Sequence, residues 1–125
     1  MRELRFRLRN GNTIVGYERW GGLEWEQSED GEKWFATCFI PHQEKDQFTG
    51  LFDKQSKEIY EGDILRCDDS NEDHVAFNTE VWFAQGQFLT KHFGFPVHSW
   101  CQKKESWCEV IGNIYENPEL LEETK

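Results

Sequence analysis

A mainly β fold is what this sequence predicts: one or two small, SH3-like or barrel-like antiparallel sheets with a short C-terminal helix. Three observations predict it. Near the start, Leu4, Phe6 and Leu8 alternate without a fault with Arg5, Arg7 and Arg9, the period of a strand with one buried face. Six Trp and ten Phe stand against a single Met, and aromatic side chains suit half-buried pleated surfaces. Ten glycines are spread along most of the 125 residues, often beside Asn, Asp or Gln, as hairpin turns require.

The elements follow in order. Residues 2–9 form the first strand, Asn10-Gly11-Asn12 a tight turn and residues 13–17 the returning strand. Residues 20–39 hold Trp20, Trp25, Trp34, Phe35 and Phe39 around Ser28-Glu29-Asp30-Gly31, which predicts a second hairpin across Asp30-Gly31. The polar run PHQEKDQ, residues 41–47, reads as a loop. Phe48 to Phe52 reads as a strand, Asp53 to Ser56 as a turn, and Gly62 as a sharp bend into a strand from Ile64 to Cys67. An acidic loop, CDDSNEDH, follows. Val75 and Phe77, Val81 and Phe83, and Phe88 and Leu89 are spaced as short strands broken by loops, with Gln85-Gly86 the turn before the last. Residues 91–108 carry only a weak helical signal after Val97. Val110 to Tyr115 is a strand. Asn117 is then a helix N-cap, Pro118 the first helical residue and Glu119 a favourable charge at the positive helix end. No repeat or Pro/Gly/Ser-rich linker marks a boundary, so residues 1–125 are expected to be one domain.

The 14 Lys and Arg against 24 Asp and Glu give a formal charge of −10. That balance disfavours sequence-independent nucleic-acid binding and adsorption to anionic membranes, and it suits a dispersed protein or one meeting a basic partner. No apolar run approaches the roughly 20 residues of a spanning helix, and the N-terminal charges interrupt any signal-like stretch. The expected place is the cytoplasm, with no membrane contact. The four cysteines, Cys38, Cys67, Cys101 and Cys108, are then expected to be reduced thiols.

Candidates for chemistry are few. Asp53, Glu58, Glu61 and Asp63 crowd one segment, as paired acid–base carboxylates can. Each lies beside a turn signal or a charged neighbour, and stabilising the turn is the preferred reading. His92, His98, Cys101 and Cys108 include zinc-ligand types, but H-x5-H-x2-C-x6-C has no C-x-x-C pair and fits no familiar module. No nucleophile elbow, phosphate loop or dinucleotide motif is present, so no catalytic residue, metal or cofactor is assigned. Two candidate interaction surfaces stand out. Arg5, Arg7 and Arg9 make a basic face: a solvated edge-strand face first, a contact for an acidic partner second and a nucleic-acid contact third. Trp20, Trp25 and Trp34 make either core, the preferred reading, or a platform for bases, sugars or a protein partner.

Three segments together resemble the YopX-like family of phage and prophage proteins. MRELRFR is similar to the family's opening M-R-E-I-K-F-R. QFTGLFDKQSKEIYEGDIL resembles its Q-[YF]-T-G-L-x-D-K-N-G-x-E-I-Y-E-G-D-I-V. EVIGNIYENPELL is similar to its E-V-I-G-N-I-[YF]-E-N-P-E-L-L. Where the family has Asn-Gly in the central turn, this chain has Gln55-Ser56, neither of which favours positive φ, so a wider or different turn is expected. The resemblance implies a mainly β fold and life in a bacterial cytoplasm, and it carries over no catalytic residue. The functional expectation is a non-enzymatic binding or assembly module, acting as a homo-oligomer and contacting a phage or host protein. The alternatives are a nucleic-acid-associated regulator using the Arg face and, behind it, a small hydrolase or metal enzyme.

Overall fold

In the computed structural model, residues 4–36, 39–68, 76–91, 96–97 and 108–122 are described. Strands β1 (Arg5–Asn10) and β2 (Thr13–Trp20) form the first hairpin, with Gly11 at φ 57° in its turn. The second hairpin closes earlier than expected. β2 pairs with β3 (Trp25–Ser28) across Gly21 to Glu24, and Trp20 faces Trp25 as the last pair. The Ser28 to Gly31 turn does form, its Ser28 Oγ accepting the Gly31 N–H at 2.8 Å, but among the described residues the returning chain pairs only at Gln27 and Phe35.

The polar run expected to be a loop is a strand. β4 (Glu44–Phe52) begins inside it and pairs with β1 through residues 44–47. Its polarity has a physical reason: Glu44 and Asp46 face Arg9 and Arg7 across the ladder, so charges opposite charges replace the apolar alternation. A bulge at Gly50, φ 87°, then lets β4 continue against β5 (Glu58–Tyr60). The first sheet has the order β3-β2-β1-β4-β5, which makes the arginine-bearing β1 its central strand, not an edge.

Gly62 carries the chain into the second sheet. It sits at φ 90°, donates its N–H to the Val81 carbonyl at 2.8 Å and accepts the Ile114 N–H at 2.9 Å. A Cβ there would lie 2.9 Å from the Tyr115 ring, so the crossing requires glycine on both counts. β6 (Asp63–Asp68), β7 (Ala76–Ala84), β8 (Gln87–Thr90) and β9 (Cys108–Asn113) form the order β8-β7-β6-β9. β7 is one nine-residue strand rather than two short ones. The turn expected at Gln85-Gly86 is present, with φ 54° and 78°. Among the described residues the strand pairs leave both orders open rather than closed into a barrel.

Ile59 of β5, Leu65, Phe77, Val81, Phe88, Val97 and Val110 make the main core, with Leu51 of β4 against it, so the two sheets share one apolar interior. Cys67 and Cys108 lie inside that core, opposite one another on β6 and β9, and form a disulfide. This corrects the expectation of reduced thiols for those two: antiparallel pairing brings their Cα atoms to 4.3 Å, within disulfide reach. Cys38 and Cys101 lie outside the described residues, as do the acidic loop from 69 and the segment 98–107. The expected C-terminal helix is a single 3-10 turn, Pro118–Leu121, with Pro118 at its start. Asn117 does not cap it by a side-chain bond. Its Oδ1 accepts the Asn113 N–H at 3.3 Å instead, and Asn78 Nδ2 holds the turn by donating to the Leu120 carbonyl at 2.7 Å.

Candidate functional site

The arginines of β1 reach inward. Arg7 and Arg9 are 5% and 6% exposed. Arg7 Nε donates to Asp46 Oδ2 at 3.2 Å, Nη1 pairs with Asp63 Oδ1 and Nη2 donates to the Glu61 carbonyl at 3.1 Å. Arg9 Nη2 donates to Asp46 Oδ1 at 3.1 Å and Nη1 to the Gly11 carbonyl at 2.7 Å, with Glu44 at the rim and the Tyr115 ring 3.5 Å from the guanidinium carbon. Arg5 pairs with Glu58. The expected solvated face is therefore an internal ion-pair network in the middle of the sheet. The correction follows from strand order: with β4 beside β1, β5 next to β4 and β6 starting beneath, four carboxylates meet the three guanidiniums.

The electrostatics follow from burial. Loss of solvent alone would lower the Arg7 pKa, but Asp63 and Asp46 outweigh it and hold the guanidinium above its ordinary value. Burial pushes the Asp63 carboxyl up, against the pull of Arg7 and the Tyr60 N–H. Burial likewise raises Tyr17 and Tyr60, and it pushes Tyr115, which also faces Asp46, up to about 12.

The central carboxylates are occupied by the fold. Asp53 Oδ1 accepts the Gln55 and Lys57 N–H groups and Oδ2 the Val110 N–H, so one side chain shapes the turn and ties it to β9. Asp63 Oδ2 accepts the Tyr60 N–H at 2.8 Å, and Glu58 accepts from Tyr60 Oη at 2.9 Å. A cleft of about 630 Å³ opens between the first sheet and β9, with Tyr17 and Tyr60 in its lining and Asp30, Glu58, Asp63 and Glu116 around it. Those four carboxylates already hold backbone or side-chain donors of this chain.

The tryptophans divide. Trp34 is half-buried between the guanidiniums of Arg19 and Arg5, 4.4 and 5.4 Å from its centroid. Trp20 and Trp25 are not core: they are 41% and 43% exposed and pack edge-on, with centroids 5.3 Å apart. They form the last pair before the Gly21 to Glu24 turn. Leu4, whose carbonyl accepts the Trp20 N–H, and Leu23 at the turn tip add two more exposed apolar side chains. Leu23 was not singled out by the sequence, because its place in an exposed turn follows from the Trp20–Trp25 pairing of β2 and β3.

His92, His98 and Cys101 lie outside the described residues, and Cys108 is in the disulfide. Among the described residues no group of three or more His, Cys, Asp or Glu could hold a metal ion. Nor, among them, is any helix long and apolar enough to cross a membrane.

The chain is similar to protein EF1440 from Enterococcus faecalis, whose crystal structure superimposes with a TM-score of 0.57 at 24% identity, covering 97% of this chain and 99% of that one. At that identity the likeness speaks for the fold. No curated protein matches the sequence. The family model described as YopX protein matches residues 9–122, nearly the whole length, and takes in Arg9, Asp46, the Gly62 crossing and the Asn117-Pro118 turn; the chain belongs to the YopX family.

Proposed function

We propose that this YopX-family chain is a non-enzymatic binding and assembly protein of phage or prophage origin. In this reading it acts as a homo-oligomer in the bacterial cytoplasm and contacts a phage or host protein. The observation that carries the reading is the aromatic end of the first sheet. Trp20 and Trp25 pair there with Leu4 bonded beside them, all partly in solvent, and Leu23 in the connecting turn is 95% exposed. Apolar groups clustered at a surface mark contact sites, and Trp is the side chain most enriched where binding energy concentrates. Burial of both sulfurs shields the disulfide from thiol attack, which is compatible with a reducing compartment. The nucleic-acid alternative loses its chemistry, because Arg7 and Arg9 are committed to Asp46 and Asp63 and cannot neutralise phosphates as well.

Light scattering tests the proposal. The native chain should give a mass that is a multiple of one chain, and Trp20→Ser with Leu23→Ser should reduce it to a single chain while the circular dichroism spectrum is kept. A monodisperse native monomer would sink the assembly reading.

A further inference from the structure

On the opposite face of the first sheet from the arginine network lies a groove of about 500 Å³, lined by Glu18, Trp25, Gln27, Phe39, His42 and Lys45, with Ala36 at its side. Its floor is polar and ordered. Glu18 and Gln27 face each other across β2 and β3, and Glu18 is 7% exposed. Lys45 Nζ donates to Glu18 Oε1 at 2.6 Å, and Gln27 Nε2 donates to Oε2 at 3.0 Å. The far side of the Gln27 amide is fixed by the Ile40 N–H at 2.5 Å. These bonds leave capacity over: a carboxylate has about four acceptor positions and an ammonium three donors. Glu18 and Lys45 thus offer an acceptor and a donor side by side. His42 Nδ1 lies 2.7 Å from the Ile40 carbonyl, which assigns its proton to Nδ1 and makes Nε2 a further acceptor.

The walls are aromatic and wet. Phe39 is 71% exposed, with the His42 ring 5.9 Å away, and Trp25 keeps nearly half its surface in solvent. The charge of the floor selects the ligand. An anion would meet Glu18 and a cation would meet Lys45, whereas a neutral ring meets neither repulsion. A nucleotide would bring phosphate to a chain of charge −10. A neutral ring with adjacent hydroxyls satisfies the donor–acceptor couple, and its polarised C–H groups suit the negative face of an aromatic ring.

We propose that this groove binds a neutral pyranose ring, its C–H face against Phe39 and Trp25 and two adjacent hydroxyls shared between Glu18 and Lys45. The site does not rest on the assembly reading, although Trp25 borders both surfaces.

The test is an NMR titration of the native protein with methyl glucoside, methyl mannoside, methyl galactoside and N-acetylglucosamine, each added separately. At least one should give saturable shifts centred on the Trp25 indole and the Lys45 and His42 side chains, with a Kd on the order of 1 mM, the scale of one stacked ring and a few hydrogen bonds. Glu18→Gln should weaken it at least about tenfold, the loss of one charged hydrogen bond. Phe39→Ala should weaken it as well without lowering the melting temperature, since that ring is mostly in solvent. Trp20→Ser with Leu23→Ser should alter the mass by light scattering yet keep the sugar shifts, which separates the two surfaces. No saturable shift with any of the four sugars would overturn the proposal, as would binding unchanged in both groove variants, or displacement of the sugar from the groove by adenosine at a lower concentration.

Discussion

Ser56 sits at φ 65°, the left-handed region that glycine favours, in the turn where the motif this segment resembles has Asn-Gly. The turn is a three-residue loop: Asp53 N donates to the Lys57 carbonyl, Ser56 N donates to the Asp53 carbonyl, and Ser56 then takes the left-handed position. The substitution therefore leaves the turn position in place and transfers a conformational cost to Ser56. Ser56→Gly should raise stability by about 1 kcal/mol, read from the denaturant midpoint; no gain would mean that Ser56 takes this φ without a conformational cost. Asp46 is the opposite case. It is 2% exposed and serves both Arg7 and Arg9, so Asp46→Asn leaves two buried guanidiniums short of their charge partner. A loss on the order of 3–5 kcal/mol is expected in equilibrium unfolding, and a cost under 1 kcal/mol would mean that Asp63 and Glu44 suffice. The arginines were legible as a face from their spacing. What they face was not, because Asp46 and Asp63 are 37 or more residues away in sequence.

At the scale of elements, the strongest sequence signals were the strict alternation in β1, the Asn-Gly and Gln-Gly turns, and the Pro after Asn at the C-terminal turn. Each is local chemistry, set by two to six neighbouring residues. β4 failed as a sequence signal because its outer half is polar on both faces, with Asp46 and Glu44 serving arginines on one and Lys45 serving Glu18 on the other. β7 was divided in the sequence reading because Asn78, Thr79 and Glu80 interrupt its apolar residues. Asn78 and Thr79 are nonetheless buried, and Asn78 reaches the Leu120 carbonyl. The β6–β9 pair carries a test of its own. The Cys67–Cys108 disulfide closes a separation of 41 residues, and Cys67→Ala with Cys108→Ala should cost on the order of 4 kcal/mol by loop-closure entropy. Denaturation of the native chain with and without reductant checks this. Identical midpoints after confirmed reduction would show that the core holds β6 and β9 together unaided.

Across the whole molecule, the two sheets meet through tyrosines and ion pairs as well as through the apolar core. Tyr115 of the segment after β9 lies over Arg9 and donates to Asp46 at 3.3 Å, while Tyr17 and Tyr60 line the cleft, their rings 5.9 Å apart. The chain has three tyrosines and burial raises all of them, Tyr115 to about 12. A phenol whose folded pKa is raised leaves stability intact below its unfolded value near 10, and that stability is lost as pH rises through the folded value. Phenolate absorbance should therefore be absent at pH about 10 and should appear together with alkaline unfolding above it. Tyr115→Phe should lessen the alkaline loss, and a tyrosine titrating near its ordinary pKa in the folded chain would contradict the buried interface.

The sequence by itself determined the β class, the first hairpin, the Gly62 bend, the Gln85-Gly86 turn and the family motifs, because periodicity and turn chemistry act between near neighbours. Only the tertiary structure decided that the arginine face is interior, that two cysteines pair, and that Trp20 and Trp25 stand in solvent while Glu18, Lys45 and Phe39 line a groove. Those outcomes depend on strand order, which brings together residues dozens of positions apart and fixes which side of each strand is covered.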